Sequence, residues 1–398
     1  GDDGVASNAG AVYVFERGDD GWEQVQKLTA PDGESYDNFG RDAAIDGDTL
    51  VIGAYADDDG ASGTGSAYVF QKGDDGWSMT QKLTASDGAS GDSFGIGVAI
   101  DGDQILVGAY GVDGEETGQS YTGAGYVFEL QEGTWSQTDK LTIEGSGTYT
   151  MAGFSVALDE GTAVLGAIYD DAGHATMSGS AYVFQQSDGD WDQVAKLQPE
   201  DADSYDLTGY SVDVSGGTVL VGSMYDDDDG TNTGSASVWR AGADGWEMVD
   251  EVHASDAADH DNFGSAVAID GGTILVGAHA DDDMGSSSGS VYLFEGAASD
   301  LEYSWIQTSG PAVELDDTSA ATPGFTAPES LANTTLVFEV TATDGVDTWT
   351  GTIEVLVHAD DDAPTAWILR AATGLDRQVL ERNVFPGLDM WQDPGVIL

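Results

Sequence analysis

Short runs of alternating apolar and polar residues, broken by Gly- and Asp-rich turns, fill the chain from its first residue to about position 296. That period of two predicts β-strands rather than helices. One strand recurs six times: GAVYVF at 10–15, GSAYVF at 65–70, GAGYVF at 123–128, GSAYVF at 179–184, GSASVW at 234–239 and GSVYLF at 289–294, spaced 55 to 58 residues apart. A polar turn and a Trp-led strand follow at 22–28, 77–83, 135–141, 191–197 and 246–252. Next comes an aromatic-Gly pair, Phe39-Gly40, Phe94-Gly95 and Phe263-Gly264, reshuffled to Gly153-Phe154 and Gly209-Tyr210. A hairpin closes each copy, joining strands such as AAID (43–46) and TLVIGA (49–54) through Asp46-Gly47, Asp101-Gly102 or Asp270-Gly271, a pairing that favours primed two-residue turns.

Four strands per repeat of this length fit the blade of a β-propeller. The Tyr-Val-Phe strand occurs six times and each of the other three strands five times, so the reading allows five or six blades. In the favoured version the Trp22 strand completes the blade that ends at Phe294, giving five blades and a spare strand at 10–15. In the other, two inner strands of a sixth blade come from upstream or from another subunit. A spare strand is expected to act as a subunit connector, because an unpaired edge templates pairing.

Phe39-Gly40 with Gly53-Ala54, and their counterparts in the later copies, resemble the FG-GAP repeat of the integrin α-subunit propeller and its prokaryotic relatives, over roughly the first 296 residues. On this reading the glycine lets inner strands approach near a central channel and the aromatic fills the wedge between blades. The resemblance also implies calcium in the loop between the first two strands of a blade. Here that place holds only a tight Asp-Gly turn, so this expectation does not carry over.

Acidic clusters stand elsewhere, and Ca²⁺ requires six to eight oxygens that such loops can offer. Candidate ligands are Asp57 and Asp59, Asp226 and Asp228, and Asp281 and Asp283. A second set pairs Asp at i and i+5: Asp32/Asp37, Asp87/Asp92, Asp201/Asp206 and Asp256/Asp261. Asp also caps turns and hydrates surfaces, which is the competing reading of both sets.

Composition narrows the partners. The 398 residues carry 73 acidic against 11 Lys plus Arg, a net charge of −62, and 54 of the acids are Asp. At 40 % hydrophobic residues with 10 Trp the chain is expected to fold, and to need concentrated salt to screen its self-repulsion. Such a surface excludes nucleic acid and anionic lipid and favours cations. There is no Cys and no run of 18 apolar residues to span a membrane. The sequence opens at Gly1 without Met, so any signal peptide is expected to lie outside it.

After residue 298 the repeat stops. The run YSWIQTSGPAVEL at 303–315 and the later FEVTATDG at 338–345 look like a PKD-type immunoglobulin-like module, implying a small β-sandwich at 299–359. Asn333 heads the one N-glycosylation sequon found. A linker and tail at 360–398 hold three of six Arg; a short helix capped at Thr373 is expected there, and Trp367, Leu369, Arg370, Arg377, Phe385 and Trp391 are the candidate subunit contacts, against packing on the chain's own sandwich.

Five His show no ligand spacing, and no nucleophile or phosphate-loop motif stands in the right context. The chain is therefore read as an all-β, non-enzymatic, extracellular or cell-surface protein of a halophile. It is expected to assemble into a filament or lattice; the alternatives are a monomeric adhesin for a protein or glycan and a propeller glycosidase or lyase. If charge repulsion dominates, melting temperature rises steeply from low to molar KCl. A midpoint indifferent to salt would sink this reading.

Overall fold

A computed structural model describes residues 7–18, 21–114, 118–145, 147–171, 176–242, 245–283, 285–295, 302–315, 318–319, 324–326, 334–343, 348–357 and 366–368. Among them every regular element is a strand. They divide into two compact units, the first running to Leu293 apart from Gly271–Thr273 and the second from Phe294 onward.

The first unit is a series of antiparallel sheets. A hairpin of β1 (Val12–Gly18) and β2 (Gly21–Leu28) comes first. Four sheets of four strands follow in sequence order: β3 (Ala43–Asp46), β4 (Thr49–Ala54), β5 (Ser66–Gly73) and β6 (Gly76–Leu83); β7 (Val98–Asp101), β8 (Gln104–Ala109), β9 (Ala124–Gln131) and β10 (Thr134–Leu141); β11 (Ala152–Asp159), β12 (Thr162–Ala167), β13 (Ser180–Ser187) and β14 (Asp190–Leu197); β15 (Thr208–Ser215), β16 (Thr218–Ser223), β17 (Ser235–Gly242) and β18 (Gly245–Val252). A three-stranded sheet ends the series, with β19 (Phe263–Asp270), β20 (Thr273–Ala278) and β21 (Ser290–Glu295). The first four-stranded sheet is called the first blade and β19–β21 the fifth.

The inner ends of all five blades line one cavity of about 460 Å³, reached by Arg41 next to β3, Ile96 before β7, Phe154 of β11, Tyr210 of β15 and Ser265 of β19. Blades ranged round a common channel make this a β-propeller.

The core lies between blades, not within them. Strand alternation sends Ile105 and Val107 of β8 to a core shared with Val51 and Val69 of the first blade. It sends Leu106, from the same strand, to a core shared with Val156 and Leu165 of the third. The innermost contact is backbone on backbone. A Cβ added to Gly53 would lie 2.0 Å from the Gly95 carbonyl oxygen of the next blade, and one on Gly108 2.0 Å from that of Gly153. The same clash recurs at Gly166 against Gly209 and at Gly222 against Gly264, 2.1 Å each. Parallel bridges Gly65↔Phe94, Gly123↔Ala152 and Gly179↔Thr208 mark the same junctions.

Two expectations change. Those bridges align Ala152 and Thr208, not Phe154 and Tyr210, with Phe94. The displaced aromatics sit two residues later and meet each other beside the channel, ring centres 5.3 Å apart, with the Arg41 guanidinium over Phe154. Phe94 does lie between blades, in the core shared by the first and the second, edge-on to Tyr126, and Phe39 lies likewise between the β1–β2 hairpin and the first blade, edge-on to Tyr68. The Trp22 strand also does not complete the last blade. β2 pairs with β1 from Val12↔Leu28 to Gly18↔Gly21, since closing a short hairpin costs far less loop entropy than spanning the chain.

In the second unit β22 (Glu302–Ser309), β24 (Thr334–Thr343) and β25 (Thr348–Val357) form one sheet, and β23 (Gly324–Thr326) pairs with β26 (Ala366–Ile368) in another. Phe325 of β23 packs on Phe338 of β24 at 5.2 Å, in a core with Trp305, Leu336 and Val340. The backbone of Trp367 pairs with Phe325, so this part of the tail joins the unit. Asn333, Leu369, Arg370, Thr373, Arg377, Phe385 and Trp391 lie outside the described residues.

Gly108→Ala is expected to cost about 3 kcal/mol or more through the forced backbone shift, whereas Gly47→Ala, at φ +53° with open space around it, costs only the left-handed backbone penalty of about 1–2 kcal/mol. Urea unfolding of both variants at fixed KCl checks the ordering.

Candidate acidic clusters of the blades

Each blade places a cluster of charged side chains where the loop entering the blade meets the loop between its second and third strands, joined in the four-stranded blades by the outermost strand. In the first blade Tyr68 Oη of β5 donates to Asp32 Oδ1 at 2.9 Å and to Asp57 Oδ2 at 2.7 Å. Lys82 of β6 lies beneath them, its Nζ 2.9 Å from Asp32 and 2.8 Å from Asp57, and also bonded to Asp59. Asp57 Oδ1 accepts the Asp59 N–H at 2.9 Å and so shapes the loop. Burial pushes the Asp57 carboxyl up, but the Lys82, Asp59 and Tyr68 hydrogen bonds outweigh it and hold it below the usual range. Asp32 is lowered in the same way, against burial, by Lys82 and Tyr68.

The other blades are variations on this plan. In the second, Val112 stands where Asp57 would, and Lys140 pairs with Asp87 at 2.6 Å. In the third, Asp170 accepts from Ser180 Oγ and Tyr182 Oη at 2.5 Å each and pairs with Lys196 at 2.7 Å. In the fifth, Tyr292 Oη donates to Asp256 at 2.8 Å and to Asp281 at 2.9 Å.

The fourth blade breaks the plan. Ser237 replaces the tyrosine, and Glu251 of β18 replaces the lysine, facing Asp201 and Asp226. Burial first, and then those two charges, push the Glu251 carboxyl up. Asp206 beside them is pushed to about 7 by burial and then, against the hydrogen bond it accepts from the Asp203 N–H, by the charges of Asp226, Asp227 and Asp203. Carboxylate oxygens of Asp203, Asp227 and Asp228 lie within 4.8 Å of one another.

The structure thus separates the i, i+5 pairs. Asp32, Asp87, Asp201 and Asp256 belong to the clusters. Asp37, Asp92, Asp206 and Asp261 are buried turn caps, each accepting the backbone N–H three residues earlier at 2.5–2.7 Å. Asp57, Asp226 and Asp281 are likewise equivalent: each accepts, at 2.9–3.0 Å, the N–H two residues on, that of Asp59, Asp228 and Asp283.

The lysines escaped the sequence reading, yet their signal was present. Four of the five Lys, at 27, 82, 140 and 196, take the penultimate position of the Trp-led strand, and the fifth copy has Glu251 there.

At the channel the carboxylates are engaged by backbone. Asp42 Oδ2 accepts the Val98 N–H at 2.8 Å and Asp213 Oδ2 the Ile269 N–H at 2.7 Å, each from the next blade.

The FG-GAP repeat family matches five segments, residues 22–70, 77–128, 135–184, 191–239 and 246–294. Each runs from an outermost strand through the third strand of the following blade, so every repeat contributes to two blades. No curated protein matches the chain.

Carboxylates lowered by lysine stabilise the fold above pH about 3.8, and that stability is lost as pH falls through their depressed values. Asp206 works oppositely: its contribution is greatest below pH about 4 and is lost as pH rises toward 7. Lys82→Met leaves the buried Asp57 without its ion pair and is expected to cost about 3 kcal/mol, while moving the acid-unfolding midpoint to higher pH. Unchanged urea and acid transitions would contradict the assigned role.

Proposed function

The chain belongs to the FG-GAP repeat family, and from the state of its outer blades we propose that it is a non-catalytic building block which assembles with further copies of itself. The observation that carries this reading is that repeat positions buried inside complete blades stand open at both ends of the series. Trp22 of β2 is 70 % exposed while its equivalent Trp77 is 6 % exposed. Tyr13 and Phe15 of β1 are exposed, while Tyr68 and Phe70 are buried. On the fifth blade Val291 is 72 % exposed, and Leu275 and Leu293 are also open to solvent. The signature glycine Gly277 would meet nothing closer than 3.5 Å if given a Cβ, unlike its counterparts at the four junctions between blades.

An apolar face shaped by this repeat is covered by another blade at each of those junctions. A blade from a second copy is therefore the occupant whose chemistry fits. Carboxylates committed to backbone N–H groups at the channel support a structural rather than a catalytic use of that space.

The wider setting rests on the family and the charge. In this reading the propeller is an integrin-like platform on an extracellular or cell-surface protein in a high-salt environment. The second unit serves as a PKD-type, immunoglobulin-like spacer, and its two sheets sharing a core support that assignment.

Sedimentation velocity and electron microscopy at molar KCl test the proposal. Concentration-dependent assemblies are expected for the chain, and a loss of assembly with an unchanged melt for Val291→Asp with Leu293→Asp. A chain that stays monomeric at all concentrations would overturn it.

A further inference from the structure

One position of the repeat does not repeat. Every copy has the signature glycine, as Gly40, Gly95, Gly153, Gly209 and Gly264, and the residue after it lines the channel. Those residues are Arg41, Ile96, Phe154, Tyr210 and Ser265, no two alike. A position with only a packing duty would recur as the glycines beside it do. The mixed ring instead sets one guanidinium next to two aromatic rings, in a cavity of about 460 Å³ that falls among the volumes of small-molecule sites, roughly 300–1,000 Å³.

The aromatic side is built by the shift in the third and fourth copies. Arg41 Cζ lies 6.0 Å from the centre of the Phe154 ring, and Phe154 meets Tyr210 at 5.3 Å. Tyr110 of the second blade packs on Phe154 at 6.1 Å and steadies it. Phe154 and Tyr210 are only half-buried, whereas Phe94, the aromatic of an unshifted copy, is wholly buried. Moving a ring from a blade junction to the channel wall loses burial unless an apolar group covers it there.

The guanidinium is the second, independent feature. Lys72, Lys82, Lys140 and Lys196 each pair with a carboxylate within 2.9 Å. Arg41 is the one cation in the channel lining, and among the described residues its side chain has no such partner. The two carboxylates of the lining are turned to backbone: Asp42 accepts the N–H groups of Ala43 and Val98 at 2.9 and 2.8 Å, and Asp213 those of Val214 and Ile269 at 2.9 and 2.7 Å. The guanidinium fork is therefore left open to a carboxylate from outside.

We propose that the channel binds a small organic carboxylate with a planar apolar body, its carboxylate taken by Arg41 and its body by Phe154 and Tyr210. The charge of the rest of the chain is screened in molar salt, so short-range contact with Arg41 governs entry of the anion. This role is separate from assembly, since it uses none of the residues exposed on the end blades.

Saturation-transfer NMR titration of benzoate against the full chain in molar KCl tests the site. Benzoate is expected to bind saturably, and benzyl alcohol, which keeps the ring without the charge, about tenfold more weakly. Arg41→Gln is expected to weaken benzoate by about tenfold while leaving the thermal melt and the sedimentation profile unchanged, so that this proposal and the assembly reading fail separately. Arg41→Lys is expected to bind less tightly than the parent, because an ammonium makes no bidentate pair. Phe154→Leu is expected to weaken benzoate and not acetate. Absence of saturable benzoate binding, equal affinity in the parent and Arg41→Gln, or benzylammonium bound as tightly as benzoate would each overturn the proposal.

Discussion

Adjacent blades meet through main-chain atoms, and that contact constrains everything built around it. The glycine of the second strand lies so close to the carbonyl of the next blade's inner-strand glycine that no Cβ fits between them. A side chain there would push two sheets apart along their whole length, because the shared cores on either side are already filled. The aromatic of the signature is less strict. It becomes Ala152 and Thr208 in two copies, while Gly153 and Gly209 remain. In those two blades Phe154 and Tyr210 move to the channel, so one shift within a repeat alters the channel lining without loosening the blade junction.

Given that scaffold, the acids do more than hydrate the surface. Asp46 accepts the Gly102 N–H, Asp101 that of Glu160, and Asp159 that of Gly216, each 2.8 Å long and reaching the next blade. Others cap the loops that enter blades, and a third group surrounds the scarce lysines. In a chain with a charge of −62, spending most of the lysines on one repeat position is an economical way to neutralise the carboxylates that must be buried. The exposed remainder repel one another and respond to salt. The fourth blade differs in its chemistry, because Glu251 stands at the position of its outermost strand that holds a lysine in the three blades before it.

Much of this was legible in the residues. The six Tyr-Val-Phe strands, five Trp-led strands, five inner strands and five hairpins stand where the repeat put them, since strand alternation and Gly-containing turns are local properties. The regular i, i+5 spacing of Asp32 and Asp37 was equally visible. That one member caps a turn while the other reaches a lysine 50 residues away was not, because the partner lies across the blade.

By itself, then, the sequence determined the all-β class, the repeat, the order of strands and the excess of charge, all of which depend on near neighbours and composition. Only the tertiary structure decided which blade each strand serves, that β2 returns to β1, that Phe154 and Tyr210 face the channel, and that Asp201, Asp226 and Glu251 share one pocket of field. Those outcomes depend on how successive sheets lie against one another, at sequence separations of about a full repeat. At that range no local pattern carries the information, and the backbone contact between glycines sets the geometry.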